Sequence, residues 1–368
     1  RDRTVITMVN NFQGDVTDFA MVIPAPTVLK REQIHVTENA IVDHLDAYTA
    51  PRLVEYFDEN PCIQRRYMKR GNADTAMAPS PVEEERDFGE GELVIEGEVP
   101  QQLVGAYMRD GANTAYQPNH YVYPLDGDGM VHAVYFNKGK VEYKNRWVQT
   151  SHLMTERKYD RTIYGSVGKL LEVPQDIIDA GGEPSPIRNT ANTNVLYHGG
   201  KLLAMWEGGF PHLLNNDLST VGLYDYDGAL QPGDALTAHP KICPDSGDLI
   251  SCTQRWDSPN YFLQVFDKSG KHKQTTMVEF ERKGIIHDLQ ITENYVVIFY
   301  APAWHSVERA MKGEDPFMWE PELGTKIIAI PRDGSGNNIV FETESFFSWH
   351  FCNGFEQGGK IIIDYVWT

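Results

Sequence analysis

The chain has 368 residues, 41% of them hydrophobic and 23% charged, and carries a formal net charge of −19. That acidity excludes a nucleic-acid groove or an anionic membrane surface as the main partner, since either would repel the chain. No run of 18 apolar residues occurs, so no spanning helix is expected. The four cysteines (Cys62, Cys243, Cys252, Cys352) lack CxxC or paired-finger spacing, which argues against structural zinc or a disulfide framework and suits a reducing, cytoplasmic setting.

Residues 1–62 differ from the rest. Thr4–Asn10 and Phe19–Ile23 suggest two strands around a turn at Gly14-Asp15, and a helix is expected from Asn39 to Asp58 after Pro24 and Pro26. The chain opens with Arg1 and shows no signal peptide, so its natural start is expected upstream. Residues 63–92 read as an acidic linker with Pro79, Pro81 and the run Glu83-Glu84-Glu85-Arg86. From residue 93 to 368, short strands alternate with Gly-rich turns. Val131–Phe136 and Val141–Val148 flank Asn137-Lys138-Gly139-Lys140, and Asn194–Tyr197 and Lys201–Trp206 flank His198-Gly199-Gly200. Tyr261–Phe266, Tyr295–Tyr300, Lys326–Ile330 and Lys360–Val366 each adjoin a similar turn signal. Recurrent hairpins of this kind predict an all-β chain, and over this length they suit propeller blades better than a sandwich. Helices are expected only at Lys169–Ala180 and Ser306–Lys312.

Twelve histidines are present, and most read as ordinary hydrogen-bonded residues. His132, just after the Asp126-Gly127-Asp128-Gly129 run, reads as a brace for that turn. His239, His287 and His350 differ: each sits at a strand start beside apolar residues, 48 and 63 residues apart. Scattered histidines on separate strands suit one metal on a shared axis, although each also suits a structural role.

The segments LDGDGMVHAVYF, ANTNVLYHGGKLLAMWEGGFPH, LTAHPK, IIHDLQITENYVVI and FFSWHFCNGFE occur in the order seen in carotenoid cleavage oxygenases. From about Glu92 to Thr368 the chain resembles that family, which also includes apocarotenoid oxygenases and lignostilbene dioxygenases. The resemblance implies a seven-bladed β-propeller with a non-haem Fe(II) on its axis, held by four histidines. His239, His287 and His350 match the first three, and the fourth is expected in C-terminal sequence absent here, along with the closing strands. Residues 1–62, through FQGDVTDFAMVIPAP, DHLDAYTAPRLVEYF and ENPC, resemble a bacterial family of unknown function. They form either a fused module or, the preferred reading, a truncated α+β remnant that packs poorly on the rest.

What the family resemblance implies extends beyond the metal. Glu207 matches a carboxylate that accepts the second ring N–H of a ligand histidine, here assigned to His287, whereas Asp288 and Glu356 read as local turn or strand residues. Thr193 is expected to place its methyl group by the open coordination face. Stilbene-cleaving members carry a lysine where this chain has Trp206, so the resemblance favours a long polyene. Trp206, Phe210, Phe347 and Trp349 are expected to line its tunnel, although the last three also suit core packing. The implied reaction is cleavage of a conjugated double bond of a carotenoid or apocarotenoid by O2, giving two carbonyl products. Leu170-Leu171 and Ile177-Ile178 are expected to form a patch touching a membrane surface. A stilbene dioxygenase and a catalytically dead binding scaffold are the alternatives.

Overall fold

The computed structural model describes residues 84–116, 126–255 and 258–366. The expected unit at 1–62 lies outside the described residues, as does most of the expected linker.

Turn chemistry sets the strand order. Three hairpins close through two-residue turns with both φ angles positive: Lys138-Gly139 (48° and 84°), Gly199-Gly200 (58° and 75°) and Gly358-Gly359 (58° and 74°). These turns match the right-handed twist of paired strands and so fix register. The first sheet runs β1 (Arg86–Phe88), β4 (Lys140–Trp147), β3 (Gly129–Asn137), β2 (Val104–Ala112). Its edge strand β1 falls inside the expected linker. The second contains β5 (Asn194–His198), β6 (Lys201–Met205), β7 (His212–Leu214) and β8 (Thr220–Leu223) in order. In the third, β11 (Leu249–Arg255), β12 (Tyr261–Phe266) and β13 (His272–Val278) are consecutive, and β9 (Asp234–Leu236) and β10 (Lys241–Ile242) both pair with β11. The fourth orders β14 (Gln290–Ile291), β15 (Tyr295–Tyr300), β18 (Thr325–Pro331) and β19 (Ile339–Thr343). Two hairpins complete the set: β16 (Ala303–His305) with β17 (Phe317–Trp319), and β20 (Phe351–Gln357) with β21 (Lys360–Tyr365). The fold is therefore mostly β, built of successive antiparallel sheets, and among the described residues no sheet closes on itself.

Alternation along the strands places the core between successive sheets. Leu202 and Ala204 of β6 join Val131 and Ala133 of β3, while Leu203 and Met205 face Leu249 and Phe266 of the third sheet. Likewise Val296 and Ile298 of β15 pack with Ile250 and Leu263, and Val297 and Phe299 pack toward Phe351 and Ile363. A period of two with both faces buried explains why these strands read as continuous apolar runs. Each such valine, leucine, isoleucine, phenylalanine or methionine side chain contributes roughly 1.5–3 kcal/mol on burial.

The helices are short. Helix α1 (Ser151–Tyr159), which the sequence reading lacked, is capped by Thr150 Oγ1 accepting from Leu153 N at 3.2 Å. Helix α2 spans Gln175–Asp179 only, not Lys169–Ala180. Pro174 accounts for the difference, because it disfavours helical conformation in the residue before it and lacks a donor of its own. Helix α3 (Val307–Met311) is capped by Ser306.

Two expectations are corrected. Leu170 and Ile177 are buried, and Leu171 and Ile178 are half-buried, so these residues pack inward and present no bilayer patch. His132 pairs across the first sheet, its Nδ1 2.8 Å from Tyr143 OH. The Asp126–Gly129 run is held instead by its own carboxylates. Asp126 Oδ1 accepts Val167 N at 2.9 Å, and Asp128 is bound by Arg188 and by Ala115 N. Among the described residues no helix is long and apolar enough to cross a membrane.

Candidate metal centre

The loop from β9 to β10 is short and fixed at both ends. Thr237 N bonds Cys252 O at 2.8 Å, and Asn194 Nδ2 of β5 donates to Ala238 O at 2.7 Å. Pro240 follows His239 and restricts it to extended conformation. His239 is thus presented from a rigid loop. His287 comes from the segment entering β14. Its neighbour Ile286 is buried in the core between the third and fourth sheets, and Thr237 Oγ1 donates to its carbonyl at 3.0 Å. His350 immediately precedes β20, and its carbonyl accepts Val366 N at 3.1 Å.

These three segments converge. One ligating atom from each of His239, His287 and His350 lies within 4.8 Å of the other two. His239 Nε2 and His287 Nε2 are 3.0 Å apart. The His350 ring centroid lies 5.0 Å and 5.1 Å from those of His239 and His287. His287 Nδ1 is 2.6 Å from Glu207 Oε2. A carboxylate only accepts, so His287 donates its Nδ1 proton to Glu207, which leaves Nε2 as the nitrogen that would ligate a metal. Burial, with the adjacent His287, holds His239 down to about 4, and the same two causes lower His350. Both rings are therefore neutral near pH 7, the form that ligates a metal.

The donor set fits a divalent ion. Two nitrogens each about 2.1 Å from a common ion and at right angles would be about 3.0 Å apart. Neutral imidazoles suit Fe(II) and leave it its full charge.

A cavity of about 340 Å³ adjoins the cluster. Trp206, Glu207, Gly208, Ile286, Leu170 and Trp349 are among its lining residues, and apolar side chains share the wall with charged ones such as Asp126 and Arg188. The Trp206 indole folds over the following turn so closely that a Cβ on Gly208 would come within 2.2 Å of it. Trp349 stands edge-on to His287 at 5.0 Å, and Phe347 lies 4.8 Å from Trp349. Phe210, by contrast, packs against the core cluster containing Leu203, Met205 and Leu236. Thr193 lies just before β5, where its N–H bonds Met205 O at 3.0 Å and its hydroxyl donates to Asn192 Oδ1.

One reading of an acidic residue changes and one holds, Glu356 being a strand residue of β20. Asp288 is not a local turn residue: its partners Lys241 and Phe351 are 47 and 63 residues away. Glu356 braces the turn before β15 from another sheet, accepting from Thr292 Oγ1 and Asn294 N at 2.6 and 2.8 Å. The sequence reading also missed Lys283 and His305 in the cavity wall, since neither sits in a distinctive local pattern.

Residues 80–368 match the family model described as retinal pigment epithelial membrane protein. The chain belongs to this family, the iron-dependent carotenoid cleavage oxygenases. Residues 1–103 match an uncharacterised protein family conserved in bacteria, extending past Cys62. The chain is 33% identical over 278 residues to isoeugenol monooxygenase of Pseudomonas nitroreducens, covering 74% of this chain and 57% of that protein. Cobalt-substituted apocarotenoid oxygenase of Synechocystis superposes with a TM-score of 0.67 at 29% identity, covering 78% of this chain and 62% of that one. Lignostilbene dioxygenase of Pseudomonas brassicacearum gives a TM-score of 0.67 at 28% identity, covering 77% and 59%. The chain therefore spans about three-fifths of the length of these relatives.

Proposed function

We propose that this chain carries the iron-binding part of a dioxygenase that splits a conjugated double bond of a carotenoid or apocarotenoid into two carbonyl products. The observation behind this reading is the meeting of three histidines, from three separate strand starts, beside a cavity with apolar walls. In this reading the successive sheets are blades of a seven-bladed propeller. A fourth histidine from outside the described residues completes the ligand set.

Fe(II), when bound, supplies the activation of O2. The residues do the rest. His239, His287 and His350 hold the ion, and Glu207 fixes the tautomer of His287 and so the direction of its lone pair. Trp206 and Trp349, with Phe347 behind, offer flat apolar walls to a planar polyene and exclude water from it. Phe210, packed in the core, supports that wall only indirectly. Thr193 is assigned the role of limiting, through its methyl group, how a small ligand approaches the ion.

One observation favours a second reading, cleavage of a stilbene-type phenol. Lys283 and His305 share the cavity wall with the apolar residues and offer polar atoms near its lining. Iron analysis of a version extended to the length of its relatives, followed by incubation under ¹⁸O2 with an apocarotenal and a hydroxystilbene in parallel, tests both. Stoichiometric iron and labelled aldehydes from the apocarotenal are expected. Aldehydes from the stilbene alone would move the assignment to the second reading. Absence of iron and of both products would leave a binding scaffold.

A further inference from the structure

We infer that Asp288 is a positioning residue that sets the spacing of the three histidines by binding all three of their segments through one carboxylate. Oδ1 accepts from Lys241 Nζ at 2.7 Å and from Leu289 N at 2.7 Å, and Oδ2 accepts from Phe351 N at 3.0 Å. Lys241 is two residues beyond His239, Phe351 follows His350 directly, and Asp288 follows His287 directly. Each ligand is thus one or two residues from a group bound to the same carboxylate. Pro240, between His239 and Lys241, stiffens the longest of these levers.

The three levers belong to different sheets: β10 to the third, β14 to the fourth, and β20 to the last hairpin. No ladder hydrogen bond joins β10 to β20. The carboxylate joins them instead. Its side chain is 2% exposed, and the Lys241 side chain is 24% exposed. Hydrogen bonds to an ionised acceptor are shorter and stronger than neutral ones, so this junction resists displacement. With three donors on its two oxygens, Asp288 is also engaged elsewhere and does not compete as a ligand. The centre keeps an all-imidazole donor set although a carboxylate sits next to His287. Thr237 adds a second tie of the same kind, accepting from His239 N at 3.3 Å while donating to His287 O.

The inference rests on the metal reading proposed above, and its test is chosen to separate the two. Asp288→Asn keeps the shape but turns one acceptor into a donor that faces either Lys241 or a backbone N–H. The metal-free 368-residue protein is measured at a pH well above the titration range of both rings, so that loss of the Asp288 charge alters no protonation. Ring NMR resonances of His239 and His350 are then expected to move, although neither ring touches Asp288. Those of His132, in the first sheet, are expected to stay. The Kd for Co(II) is expected to rise roughly 10- to 100-fold, the usual effect of removing a group that orients ligands. The visible bands of bound Co(II), which report coordination geometry, are expected to change with it. Unmoved rings together with wild-type Co(II) affinity and bands would overturn the inference. A wild-type protein that binds no Co(II) would sink the metal reading and leave the ring resonances to decide this one. Should Asp288→Asn fail to fold, Lys241→Met, at a partly exposed position, carries the same readouts with the same two outcomes.

Discussion

His287 shows how one side chain's two nitrogens divide the work of a site. Nδ1 is committed to Glu207 at 2.6 Å, and Nε2 meets His239 Nε2 at 3.0 Å. Removing the Glu207 charge weakens the first bond and with it the fixed tautomer. Glu207→Gln still offers an amide oxygen, so metal affinity and turnover should fall toward the lower end of the usual range, about tenfold. Glu207→Ala removes the acceptor altogether and should fall further, toward about 100-fold. Metal titration and product formation measure both. Undiminished binding and turnover in both variants would return Glu207 to an ordinary cavity-wall residue.

At the scale of elements, a glycine fixes where β3 starts. Gly129 N donates to Thr190 O at 2.8 Å, and a Cβ at Gly129 would lie 1.9 Å from Ala191 O. That neighbour is backbone and cannot swing aside. Gly129→Ala should therefore separate β3 from the segment leading into Thr193 and β5. The expected cost is that of overpacking, about 1–3 kcal/mol, read as a lower urea midpoint. A midpoint equal to wild type would show that the segment yields freely. The hairpins at Lys138-Gly139, Gly199-Gly200 and Gly358-Gly359 were legible because turn chemistry is local, and so were the presence of helix α3 and the strand-start histidines. Helix α1 was not, because its buried face includes His152, Thr155 and Glu156 and lacks an apolar stripe. Glu156 instead meets Arg188, 32 residues on, and Asp288 meets partners farther still. No spacing rule announces such pairs, because sheet packing alone brings them together.

For the whole molecule, buried histidines make stability depend on acid. Burial holds His152, His212 and His239 down to about 4, with neighbouring charges as smaller causes. In the unfolded chain such groups titrate near 6.5. Between those values the unfolded state binds more protons, so stability that is present above about pH 6.5 is lost as the pH falls toward about 4. Two carboxyls, Asp110 and Glu156, are raised by burial and act in the opposite direction, since their folded forms hold protons more readily. The net slope mixes these contributions, so the informative quantity is a difference between two proteins. His212, on β7, faces none of the proposed ligands directly, and His212→Asn removes one depressed group while leaving the carboxyls in place. Its folding free energy should vary less steeply with pH than wild type across this window, by up to about 1.4 kcal/mol per pH unit. Urea titrations of the metal-free proteins at intervals from pH 7 to 4 measure that difference. A variant whose slope parallels wild type throughout would mean that His212 is not held neutral in the fold, whatever its burial. Adding Fe(II) should steepen the wild-type dependence, because protons then compete with the ion for His239 and its two neighbours.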